Sequence, residues 1–79
     1  MLRLKNIKTN NGLLTASYDP ESTGELGFVS LDINSGDVVE SIASILDEDI
    51  PIYLSHAITA LKKIVKAEEI PSEKLVMWH

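Results

Sequence analysis

Apolar residues change their spacing near Pro51. Before it, short β-branched runs are separated by glycine-containing turns. After it, Leu54, Ala57, Ile58, Leu61, Ile64 and Val65 recur at intervals of three and four. The first pattern suits strands with one buried face; the second suits an amphipathic helix.

Residues 2–9 and 13–18 read as two strands joined by Asn10-Asn11-Gly12, residues that tolerate the positive φ of tight hairpin turns. A three-residue loop places Leu14, Ala16 and Tyr18 on the face of Leu2 and Leu4. A two-residue loop sets Ile7 against Ala16 and sends the N-terminal leucines to the other side. The first gathers more apolar area and is the expected register, although a slip of one residue inverts every side chain. Asp19 to Glu25 is polar and turn-rich, the expected mobile loop. Leu26 to Ile33 then alternates Val29, Leu31 and Ile33 on one face. Asn34-Ser35-Gly36 turns the chain, and Asp37 to Ala43 returns as a fourth strand. Val38, Ile42 and Ile45 also fit helical spacing, which leaves Ser41 to Leu46 open to a short helix.

The helix is expected from Pro51 or Ile52 to Ala67. The acids Asp47, Glu48 and Asp49 precede it, and Lys62, Lys63 and Lys66 lie in its last turns, the signs its exposed amides and carbonyls favour. Proline fits a first helical turn. Such a helix is not stable alone in water, so its apolar stripe must dock on the sheet. Lys74 to His79 reads as a fifth strand. It arrives antiparallel to the first, which predicts the order 4-3-2-1-5; parallel pairing beside the fourth strand is the alternative. The expected fold is α+β: a single domain over residues 1–79, with a mainly antiparallel four- to five-stranded sheet (ββββαβ) and one long amphipathic helix packed on one face.

With 79 residues the chain forms one small domain, which buries only about 60–65% of the surface its unfolded form exposes. Association would add burial. The absence of cysteine removes disulfides, thiolate chemistry and cysteine-ligated zinc, and fits a reducing compartment. No apolar run approaches the length of a membrane span, and the first residues lack the apolar stretch of a secretory signal, so cytoplasmic residence is expected. The charge of −5 is unevenly distributed. Nine acids lie from Asp19 to Asp49, with no Lys or Arg between Lys8 and Lys62. That acidic middle argues against a nucleic-acid surface, which carries a basic stripe.

No motif for catalysis, metal binding or a cofactor emerges. His56 falls opposite the apolar stripe, near Lys63, and reads as a surface histidine. Adjacent helical residues point about 100° apart, so Ser55 and His56 are not a nucleophile and base. Asp32-Ile33-Asn34-Ser35-Gly36-Asp37 has the acids of a calcium loop, but its glycine is fifth, and Ala43 stands where the twelfth-position glutamate belongs. Asp47, Glu48 and Asp49 lack a second cluster to complete a metal shell. Lys62, Lys63 and Lys66 are candidate phosphate contacts. Leu75, Met77 and Trp78 are candidate interaction residues, with Trp78 either closing the core or anchoring a partner.

The reading that follows is a small non-enzymatic protein-interaction module, homodimeric or bound to another protein. No cofactor, metal, membrane or small-molecule ligand is expected. The alternative is a nucleic-acid-associated accessory protein using Arg3, Lys5, Lys8 and the helix lysines. A third reading, a small enzyme, requires His56 to meet Asp47 or Asp49 in a pocket.

Overall fold

The computed structural model describes residues 1–49 and 51–78. Five strands, β1 (Leu2–Asn10), β2 (Leu13–Pro20), β3 (Gly27–Asp32), β4 (Val38–Ile42) and β5 (Lys74–Val76), form one sheet in the order β4-β3-β2-β1-β5. All four pairings are antiparallel. Between β4 and β5 come a 3-10 turn, Ile45–Asp47, and the helix α1, Ile52–Val65. The ββββαβ α+β fold and the strand order agree with the sequence pattern. The last strand ends at Val76, so Met77 and Trp78, which that pattern also assigns to it, lie beyond it, and His79 lies outside the described residues.

The first hairpin satisfies both registers that the sequence allows. Asn10 pairs with Leu13, so the loop is the two-residue Asn11-Gly12, with φ of 51° and 80°. Two consecutive positive φ values match the twist of a tight hairpin. Near the turn this register brings Thr9 opposite Leu14 and Lys8 opposite Thr15. The register then shifts between Lys5 and Lys8, where Asn6 adopts φ 53°. Beyond that bulge Leu4 faces Tyr18 and Leu2 faces Pro20. The expected three-residue loop is therefore corrected: one inserted residue, not a longer turn, returns Leu2 and Leu4 to the buried face. The Ile7 amide donates to the Ser72 carbonyl at 3.0 Å, so the bulge leaves it satisfied.

A second bulge explains the poor alternation of β4. Leu31 pairs with Val38 but Ser30 pairs with Glu40, leaving Val39 as the extra residue. The strand ends at Ile42 and the 3-10 turn follows, so the strand-like and helix-like signals belong to adjacent segments.

The core lies between α1 and one face of the sheet. The sheet contributes Leu2, Leu4, Ile7, Leu14, Ala16, Tyr18, Val29 and Leu31; the helix contributes Ala57, Ala60, Leu61 and Ile64. Leu54, Ile58 and Val65 pack around this centre. The helix ends at Val65, two residues before the expected limit, with the Lys66 and Ala67 amides bonded to the Lys63 and Ile64 carbonyls. The loop after β2 is held by the Thr23 amide on the Pro20 carbonyl at 3.0 Å and the Gly24 amide on Asp19 at 2.8 Å.

Candidate functional site

One helix covers only one side of the sheet. The residues facing the other way follow from alternation and the pairing register. They are Arg3, Lys5 and Lys8 on β1, with Leu13, Thr15, Ser17 and Asp19 opposite or diagonal to them on β2. Phe28 and Ser30 continue the face on β3, Glu40 and Ile42 on β4, and Leu75 on β5. Phe28 is half-buried and Ile42 is 57% exposed. Lys5 donates to Asp19 at 3.2 Å. The Gly24 amide, more than this lysine, holds the Asp19 carboxyl below its ordinary pKa against the opposing effect of burial.

Further apolar side chains are exposed on β4 and in the segments beside it. Val39 is 58% exposed and Ile45 59%, and Leu46 and Leu26 are exposed as well. A monomer ordinarily keeps such apolar side chains scattered or blunts its edge strands. Here the bulge at Val39 and the charge on Glu40 guard the edge, while Phe28 and Ile42 remain side by side on the face. Phe28 is legible as outward-facing once Val29 and Leu31 are turned inward. Ile42 is not, because its side depends on the bulge.

The helix start is built around one buried carboxylate. Asp47 accepts the Tyr53 amide at 2.9 Å, the Leu54 amide at 3.1 Å and the Tyr18 hydroxyl at 2.6 Å. The residue before the helix is Pro51, which offers no side-chain cap. Asp47 thus supplies from the preceding turn what an N-cap residue normally supplies. The Tyr18 hydroxyl in turn accepts the Ser44 amide at 2.8 Å. Burial, and next the bond to Asp47, raise the Tyr18 pKa well above that of a free phenol. Among the described residues no buried side-chain polar atom lacks a partner. This network is structural: the carboxylate oxygens face backbone amides and a phenol.

The other candidates separate. Trp78 stacks on His56 of its own chain, with ring centroids 4.0 Å apart and planes 11° apart, and meets Tyr53 edge-on at 5.8 Å. His56 is half-buried beneath it. Leu75 and Met77 remain exposed, Met77 at 70%. Lys63 lines a groove of about 290 Å³ with His56, Thr59 and Lys74. Lys62 and Lys66 line a different groove, of about 350 Å³, against Asp37 and the turn before β4. The three helix lysines therefore do not converge. Asp47 and Asp49 do not line the groove beside His56, and the described residues that do include no carboxylate.

No group of three or more His, Asp and Glu side chains among the described residues is placed to hold a metal ion. No helix among them is long and apolar enough to cross a membrane. Compared with known proteins, the chain matches no family profile, no curated protein and no solved structure.

Proposed function

We propose that this protein is a small non-catalytic protein-interaction module that binds through the sheet face its helix leaves uncovered. One observation carries the reading: Phe28 and Ile42 are paired neighbours on that face, and both retain access to solvent. Burying a pair of large apolar side chains is worth about 1.5–3 kcal/mol for each when complete. In a domain this small, a partner covering the face adds stability as well as affinity. The lack of cysteine suits a reducing compartment, and we place the protein in the cytoplasm on that ground.

The C-terminal anchor is weaker than the sequence suggests. Trp78 already has an intramolecular partner in His56, so Leu75 and Met77 remain as peripheral contacts. The nucleic-acid reading loses its combined surface for a similar reason. Arg3, Lys5 and Lys8 lie on the uncovered face, whereas Lys62, Lys63 and Lys66 lie on the helix, which packs against the other face.

The test is photo-crosslinking in cells, with p-benzoylphenylalanine replacing Phe28, and at Thr59 on the helix as a control. A discrete adduct from position 28 and none from position 59 is expected. No adduct from position 28 overturns the reading.

A further inference from the structure

We propose that the partner on the uncovered sheet face is a second copy of this chain, docked face to face about a two-fold axis parallel to the strands. This rests on the reading of that face as the binding surface and names its occupant.

The charges on the face are ordered. Lys8 pairs with Thr15, Thr15 with Ser30, and Ser30 with Glu40. These four form one row across the sheet, basic at one end, acidic at the other, with two small hydroxyl side chains between. A half-turn about an axis between β2 and β3 lays the row on its own reverse. Lys8 then meets Glu40 of the second copy, twice by symmetry, and Thr15 lies above Ser30, which its own neighbours already bury, so the charged ends carry the contact. The neighbouring row, Lys5, Ser17, Phe28 and Ile42, reverses in the same way. It sets the Lys5 stem over Ile42 and Phe28 over the small Ser17.

Two competing arrangements bring like charges together. An axis perpendicular to the strands lays β1 on β1 and opposes Arg3, Lys5 and Lys8 to themselves. Antiparallel pairing of two β4 edges about their midpoint puts Glu40 opposite Glu40, which is destabilising for directly facing residues. The bulge at Val39 also breaks that edge.

The dimensions permit the contact. Packed sheets lie about 10 Å apart, with strands within about 30° of each other. Over a row about 14 Å long that angle moves each end by about 4 Å, which a lysine side chain spans. The molecule measures 30 × 20 × 20 Å. Two faces bounded by 30 × 20 Å bury at most roughly 1,200 Å² in total, which limits self-association to a weak dimer. Lys8 and Glu40 are both exposed, so changing them leaves the core intact.

The experiment is sedimentation equilibrium of the purified full chain up to several hundred micromolar. The wild type is expected to dimerise. Lys8→Glu and Glu40→Lys each set like charges together at two symmetric positions and are expected to weaken dimerisation about tenfold or more. The double variant is expected to recover wild-type affinity within a few-fold. A wild type that stays monomeric overturns the proposal, as does a dimer indifferent to both changes. If the wild type is monomeric but crosslinking from position 28 gives an adduct of a mass other than two chains, the interaction reading stands and self-association falls. If neither experiment gives a complex, both fall.

Discussion

The ring of Tyr18 lies across the backbone of Gly27, its cross-strand partner, and fills the space a β-carbon would need there. Tyr18 is fully buried, with its hydroxyl fixed between the Asp47 carboxylate and the Ser44 amide. A side chain at position 27 would strike the ring atoms Cε1 and Cζ. Glycine is required here for close approach, not for a turn.

Gly27→Ala should therefore destabilise the fold by about 1–3 kcal/mol, the usual cost of overpacking a core. Urea unfolding checks this. A change of less than about 0.5 kcal/mol would mean that the ring moves aside freely.

Asp47 replaces the missing cap of α1 and also receives the Tyr18 hydroxyl. Asp47→Ala removes the acceptor of two helix amides and one phenol, and should cost about 2–4 kcal/mol. Asp47→Asn can turn its one carboxamide oxygen to the Leu54 amide and the Tyr18 hydroxyl, but its NH2 group then faces the Tyr53 amide, so it should recover only part of that loss. Tyr18→Phe leaves the Ser44 amide without its acceptor, at a cost of about 1–3 kcal/mol. A double-mutant cycle between Tyr18→Phe and Asp47→Ala should be strongly non-additive. Simple additivity would show that the two groups do not act together.

Stability should fall at both extremes of pH. The folded Asp19 carboxyl titrates below its ordinary 3.8. Its contribution is present above that value and is lost as pH drops through the lower folded value. At high pH the sign comes from the phenols. Tyr18 is raised by burial and Asp47, and Tyr53 by desolvation and Glu21. Above pH 10 the unfolded chain releases protons that the folded chain retains, so stability declines as pH rises. Urea midpoints between pH 8 and 11 should fall, and less steeply in Tyr18→Phe. An equal slope in that variant would assign the effect elsewhere.

The stack of Trp78 on His56 ties the C-terminal segment to α1. His56→Ala and Trp78→Ala should couple by about 0.5–1.5 kcal/mol in a double-mutant cycle. The emission of the single tryptophan should change in His56→Ala while the helical circular dichroism persists. Unchanged emission would indicate that the two rings are apart in solution.

Much of the fold is legible without coordinates because it depends on local periodicity. Leu61 and Ile64 mark the buried helix stripe by spacing alone, and Val29 and Leu31 mark the buried side of β3. The order of the strands follows because short turns join neighbours and the chain leaves the helix beside β1. Trp78 looks like an anchor in sequence because its partner, His56, lies 22 positions away. Asp47 reads only as favourable charge near a helix, since its bonds to Tyr18 and Leu54 depend on the path of the intervening turn.

The alternation of strands, the amphipathic period of α1 and the turn-forming Asn11-Gly12 are properties of neighbouring residues, so the chain itself determined the layers and their order. The bulges at Asn6 and Val39 were decided only by tertiary structure. The bulge at Asn6 inserts one residue so that Leu2, Leu4 and Ile7 reach the same core, the bulge at Val39 puts Glu40 and Ile42 on the uncovered face, and each thereby sets which residues face outward. That is why the row from Lys8 to Glu40, and the uncovered face it crosses, emerged only when the strands were paired.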